Sequence, residues 1–352
     1  MKVCIVGNDY KQQFPLLEYG GIEAAFQDVC IGTNKYFKDI KFCAFVPKIL
    51  LPGSDDYGFK IIETETVETS KTGHPAHLFG NEVRDIIKKG NIKPDIIWCY
   101  SAWSVQTLHD LNIPIICTIM DSGGWEDNKF LYKENIHYRF SSKYIYDLVF
   151  KDADTNPRIN NIKKQSCWFI TGASDEEYDF EENKSDYILW TAGLNWGPTA
   201  KGLDIFIKLA RLRTDRSFVA YGSGNLEIEN RLKELNCELN NFYYGGPLPR
   251  GFIHKNAFSK AKMFAFLTQI PEAFGRTGLE AITKGTPVLG STKGAVPELY
   301  GPAGKCTDSL EEMSKIIDMT FDTKEVFNYA QKFHIKNEVQ FLIDKSVEII
   351  GK

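Results

Sequence analysis

The sequence predicts an α/β protein of two Rossmann-like, doubly wound domains facing each other across a cleft. Short β-branched and aromatic runs alternate with amphipathic stretches along almost the whole chain, the pattern of parallel strands joined by crossover helices. A polar, acidic stretch at 173–186 lacks periodicity and separates two blocks of that pattern, as a linker does. With 352 residues, 43% of them hydrophobic, each block can bury a full core.

In the first block, strands are expected over 2–6, 40–46, 95–99 and 114–119, with helices over 21–37, 81–89 and 102–111 between them. Pro94 and Pro114 stand at the entry of apolar runs, where a missing amide donor costs nothing and a preceding helix must stop. The second block begins near Tyr187, with strands over 187–191, 217–221, 241–244, 263–267 and 287–289 and helices over 201–212, 226–235, 251–260 and 277–283. The stretch 324–350 reads as helical throughout. The expected domains are 1–175 and 184–336, with a C-terminal helix over 337–352 returning to the first. Ligands of doubly wound sheets bind at the carboxyl edges of the strands, so the active site is expected in the cleft.

Composition removes several function classes. A net charge of -4, with both signs interspersed, offers no basic face for a nucleic acid. No apolar run reaches membrane-spanning length, and residues 1–7 enter a domain too quickly for a signal peptide. A soluble, cytoplasmic chain is expected, and peripheral attachment to a membrane is compatible with it, as is a homodimer. The eight cysteines are scattered without a Cys-x-x-Cys pair and read as reduced core residues. His74 and His77 have no third ligand nearby and read as loop residues, so no metal site is expected.

The chemistry concentrates between the strands at 263–267 and 287–289. Glu272 falls in the loop at a strand's carboxyl edge, and Gly275 to Gly278 offer amides at a helix start, where the dipole favours a phosphate. Glu280, about a turn further on, can accept paired hydrogen bonds from vicinal hydroxyls such as those of a ribose. Taken singly, each acid has an ordinary reading: Glu280 pairs with Lys284 at i,i+4, and Glu272 is a loop acid.

Together, the spacing Glu272-x7-Glu280, the Phe274-Gly275 after the first acid and the Gly285-Thr286-Pro287-Val288 that follows resemble the retaining family-four glycosyltransferases of the GT-B fold. The resemblance spans most of the chain and is sharpest in the second domain. It implies that Glu272 holds hydroxyls of the donor sugar and Glu280 the ribose, and it places Phe274, Gly275, Arg276 and Thr277 in the donor site. Lys201-Gly202, opening a helix after a strand, matches the lysine that stabilises the leaving diphosphate. Tyr221-Gly222-Ser223-Gly224 resembles the turn that lets the backbone approach the nucleotide, and Gly246 lies where the base is gripped. In the first domain, Gly20-Gly21 resembles the loop facing diphosphate and acceptor.

Two positions depart from the family. Leu194 stands where an arginine is common, with Arg276 as the replacement charge, and Met120 stands where a histidine is common. Asp121 then supplies the polar group on that side, with Trp125 nearby as a ring for stacking a sugar or for packing between domains. Asp152-Ala153-Asp154 matches the metal-holding Asp-x-Asp of the other large glycosyltransferase fold, but its flanks do not fit that fold.

The expected reaction is therefore metal-independent transfer of a hexose, with retention, from UDP-hexose or GDP-mannose to a glycan or other hydroxyl acceptor. No cofactor beyond the nucleotide sugar is implied. Two alternatives remain: a sugar-nucleotide epimerase, and a catalytically silent sugar-nucleotide binder, motivated by Met120 and Leu194.

Overall fold

The computed structural model describes residues 1–8, 20–48, 57–65, 76–90, 92–121, 130–193, 197–222 and 224–351. The chain divides into two compact units, one of Met1–Ser174 with His334–Lys352 and one of Asp175–Phe333.

The first unit is built on a seven-stranded sheet of β1 (Lys2–Val6), β2 (Lys41–Val46), β3 (Lys60–Glu63), β4 (Ile96–Cys99), β5 (Ile115–Ile119), β6 (Ile136–Phe140) and β7 (Ser166–Trp168). Its order is β3-β2-β1-β4-β5-β6-β7, with every pair parallel. Alternation along the strands gives the sheet two buried faces. Val3, Ile5, Trp98 and Ile116 pack on one face with Val339 and Leu342 of the last helix, Ile335–Ile350. That helix is also fixed by polar contacts. The Trp98 indole donates to Ser346 at 2.9 Å, and Arg139 of β6 donates to Glu338, both side chains fully buried.

The second unit holds a six-stranded parallel sheet of β8 (Tyr187–Thr191), β9 (Ser217–Tyr221), β10 (Phe242–Tyr244), β11 (Met263–Phe266), β12 (Val288–Gly290) and β13 (Gly304–Cys306), ordered β10-β9-β8-β11-β12-β13. Trp190, Phe206, Phe218 and Phe242 form the centre of its core. The strand order reverses between β8 and β11, and in such sheets a crevice opens at that point outside the carboxyl ends of the strands. The fold class is thus the expected one: two Rossmann-like α/β units with parallel sheets.

Several elements differ from expectation. Strands β3, β6, β7 and β13 add to those predicted, because β6 carries His137 and Arg139 inside an apolar pattern and the others are edge strands of three or four residues. The segment expected as one helix over 251–260 is a short α-turn, Arg250–Phe252, followed by a π-helix, Ile253–Phe258. The helix expected over 324–350 is broken: Thr323–Ala330 ends in a 3-10 turn, Gln331–Phe333, and His334 caps the next helix by accepting from the Lys336 amide at 3.2 Å.

The acidic stretch at 173–186 is no free tether. It carries a 3-10 turn, Asp175–Glu177, and the Tyr178 hydroxyl donates to the Ala330 carbonyl at 2.9 Å. The Lys184 ammonium donates to the carbonyls of Ser259 and Lys284, and burial pulls its pKa down to about 8. All eight cysteines are free, and most are buried, but Cys237 is exposed and belongs to no core.

Candidate active site

The second sheet brings two of the expected residues together at its switch point. Lys201 follows β8 and Glu272 follows β11, and the ammonium lies 2.5 Å from the carboxylate. The two side chains are 21% and 19% exposed, so the pair is open to a ligand while being partly shielded from bulk water.

The local sequence explains why both backbones are held. The Ala200 carbonyl accepts from the Gln269 amide at 2.9 Å and the Thr268 hydroxyl at 3.3 Å, and the Lys201 carbonyl accepts from the Trp190 indole at 3.0 Å. Gly202 has φ 72°, and a Cβ there would lie 1.9 Å from the Leu267 carbonyl oxygen. No side chain fits, so glycine is what lets the lysine turn rest on the end of β11. On the other side, the Ala295 amide donates to the Glu272 carbonyl at 2.8 Å. Gly294 has φ 63°, and a Cβ there would come within 2.3 Å of the Glu272 nitrogen and oxygen. The Gly294→Ala variant should therefore lose about 1–3 kcal/mol in a denaturant titration and displace Glu272. Unchanged stability would show that the clamp is loose.

Downstream, the helix Arg276–Ile282 starts at Gly275, whose carbonyl accepts from the Tyr300 hydroxyl at 2.8 Å. Thr277 is half-buried in its first turn, where amides lie beyond the reach of intrahelical bonding. Phe274, assigned to the donor site, turns inward instead. It is 2% exposed and packs edge-on against Tyr300 and Phe333. Arg276 does not offer its charge at the surface either. Its guanidinium is buried and bonds Glu177 at 2.6 Å, because an acid from the supposed linker lies beside it. Glu280 is enclosed in the same cluster, 1% exposed, with Arg276 Nε 3.9 Å from its Oε1. Lys284, its expected partner in the ordinary reading, donates to the Glu177 carbonyl.

The glycine turns after β9 and β10 also meet. The Gly222 amide donates to the Gly246 carbonyl at 3.2 Å, and the Tyr244 hydroxyl donates to the Gly222 carbonyl at 2.6 Å. A Cβ at Gly246 would meet nothing within 4 Å, so this edge is open.

Residues 182–310 match a protein-family model described as "Glycosyl transferases group 1". The match covers β8 to β13 and every site residue of the second unit named above except Glu177 and Phe333. No curated protein matches the chain in sequence. Solved structures match it over nearly its full length. A glycosyltransferase from Rickettsia africae is 17% identical with a TM-score of 0.71, covering 99% of this chain and 98% of its own. HepE of Anabaena, solved in complex with UDP, is 15% identical with a TM-score of 0.68 and coverages of 98% and 99%. A sucrose-phosphate synthase from Thermosynechococcus elongatus is 12% identical with a TM-score of 0.71, covering 98% of each chain. At these identities the likeness is one of fold, and the fold is that of GT-B glycosyltransferases.

Asp121 and Gly21 belong to the first unit. Asp121 is exposed just past the end of β5, and Met120 between them packs against the apolar core. Gly21 is the first residue of the helix Gly21–Tyr36. Beside it, Glu23 is buried and accepts from Asn8 Nδ2 at 2.9 Å. Leu194, Trp125 and His74 lie outside the described residues. Asp152 and Asp154 sit in a turn, and His77 lies edge-on to Trp103. Among the described residues, no group of three or more His, Cys, Asp or Glu side chains could hold a metal, and no helix is long and apolar enough to cross a membrane.

Proposed function

We propose that the chain is a retaining glycosyltransferase that moves a hexose from a nucleoside-diphosphate sugar, UDP-hexose or GDP-mannose, to a hydroxyl of a glycan or similar acceptor. One observation carries the reading: Lys201 and Glu272 converge across the β8/β11 switch point, inside the stretch that matches the glycosyl transferase model. A donor entering there meets a cation for its phosphates and a carboxylate for its sugar hydroxyls, side by side.

Glu272 positions the hexose. As the bond from the anomeric carbon to the phosphate oxygen breaks, negative charge grows on the diphosphate, and Lys201 with the amides of Gly275–Thr277 stabilises it. The departing phosphate then accepts the proton of the attacking hydroxyl. Gly222 and Gly246 admit the nucleoside, Glu280 receives the ribose hydroxyls, and of the first unit's residues Gly21 is assigned to the diphosphate and Asp121 to the acceptor. Charge compensation falls to this lysine and these amides, so no metal is assigned to the step.

Calorimetric titration with UDP, GDP and their hexose conjugates, in the presence of EDTA, tests the donor site. Preference for one base is expected, together with a gain from the hexose that disappears in Glu272→Ala. Absence of nucleotide binding would sink the reading, and binding that appears only after magnesium is restored would sink its metal-independent form.

A further inference from the structure

A cavity of about 330 Å³ opens in the first unit, at the amino ends of three strands of its sheet. Pro114, Asn135 and Gln165 stand directly before β5, β6 and β7, while Lys345, Glu348 and Ile349 come from the end of the last helix. The volume falls at the lower end of the range for small-molecule sites, about 300–1,000 Å³. The cavity belongs to no step of the mechanism above, because doubly wound sheets bind their substrates outside the opposite, carboxyl edge.

The lining decides which chemistry fits. Its charges balance, Lys164 and Lys345 against Glu134 and Glu348, so an anion would meet two carboxylates and a cation two ammoniums. Its neutral groups are acceptors held in place. The Asn135 carboxamide nitrogen donates to the His109 and Ile113 carbonyls at 3.1 Å each, and that of Gln165 donates to the Glu134 carbonyl at 3.1 Å, which orients both amide oxygens. The Ser166 hydroxyl gives its proton to the Ile162 carbonyl at 2.7 Å and keeps its lone pairs. Lys345 pairs with Glu348 at 2.6 Å on the helix surface, a contact of little strength in water, so its ammonium can turn to a ligand. Pro114, Ile116 and Ile349 add an apolar patch. We propose that this cavity is a second saccharide site, one that takes a neutral mono- or disaccharide. Ring hydroxyls donate to the oriented acceptors and accept from the lysines, and the C–H face of a sugar ring lies on the apolar patch. The site goes beyond the transfer reaction and does not depend on it.

Saturation-transfer NMR titration of the full chain, without nucleotide, tests the site with glucose, galactose, mannose, maltose, cellobiose and lactose. At least one should bind, and inorganic phosphate should not displace it. Gln165→Ala, which removes one oriented acceptor, should weaken binding about two- to tenfold. Lys345→Trp, which fills the cavity from the helix side, should abolish it in a protein that melts near the wild-type temperature. Lys201→Ala and Glu272→Ala should bind the sugar as wild type does. A readout on the unaltered chain carries the test if the cavity variants do not fold. Cys167 lines the cavity and is part-buried whereas Cys237 is exposed, so bound sugar should slow alkylation of Cys167 by iodoacetamide and leave Cys237 unaffected. The proposal is overturned if none of the six sugars binds, if binding leaves Cys167 unprotected and persists in a folded Lys345→Trp protein, or if phosphate displaces the sugar. Binding lost in Glu272→Ala but kept in Lys345→Trp would put the sugar in the donor site and overturn it too. Failure of UDP and GDP to bind would sink the transferase reading and leave this site standing.

Discussion

Lys201→Ala is expected to slow sugar transfer about a hundredfold or more, the usual cost of removing one group that stabilises charge developing in the transition state. A hundredfold corresponds to about 2.7 kcal/mol of barrier. The loss should fall mainly on kcat, because the lysine's task grows as the phosphate leaves. The fold should survive, since the turn around Lys201 is held by main-chain groups of Ala200 and Lys201 and by Gly202, none of which the substitution touches. Steady-state kinetics beside a thermal melt make the measurement. Wild-type kcat in a folded Lys201→Ala protein would remove this residue from the chemistry.

The largest stability effect is expected in the other unit. Glu338 accepts from Arg139, from the Gly172 amide at 2.5 Å and from the Tyr100 hydroxyl at 3.5 Å. Glu338→Ala strands a fully buried guanidinium and removes the acceptor of a buried amide, a loss of about 3–5 kcal/mol. For a unit of this size that corresponds to a fall in Tm of about 6–20 °C. Calorimetric melting should show it, with nucleotide affinity at low temperature unchanged because Lys201, Glu272 and Glu280 lie in the other unit. A melting shift under about 2 °C would mean that the bonds from Arg139 to the Phe169 and Ile170 carbonyls suffice by themselves.

Where hydrophobic patterning is strong, the fold is legible in the sequence. The strands β1, β4, β5, β8 and β11 are apolar runs, and they lie at the centres of the sheets, where burial on both faces demands such runs. β6 escapes because its buried arginine looks like a surface residue until Glu338, 199 positions away, is placed beside it. The candidate site divides the same way. Lys201 and Glu272 are marked by their loops after strands, and the folded chain joins them. Glu177 carries no local signal, being one acid within the run Asp175-Glu176-Glu177, and only packing distinguishes it from its more exposed neighbours. Phe274 and Arg276 stand within a recognisable motif, yet motif position does not tell which way a side chain turns. Here both turn into the protein.

The return of the last helix to the first unit bears on the order in which the chain matures during synthesis. The second unit is one continuous segment, Asp175–Phe333, and all its strands and core residues have been made before the final helix leaves the ribosome. The first unit, though begun earlier, lacks Val339, Leu342 and Ser346 until the second has been made, so Trp98 and Arg139 wait for partners encoded after it. Domains usually acquire structure from the N-terminus onward as they emerge. In this chain the later-made unit can be complete first, and truncation of the last turns should leave a nascent first unit with its apolar sheet face uncovered.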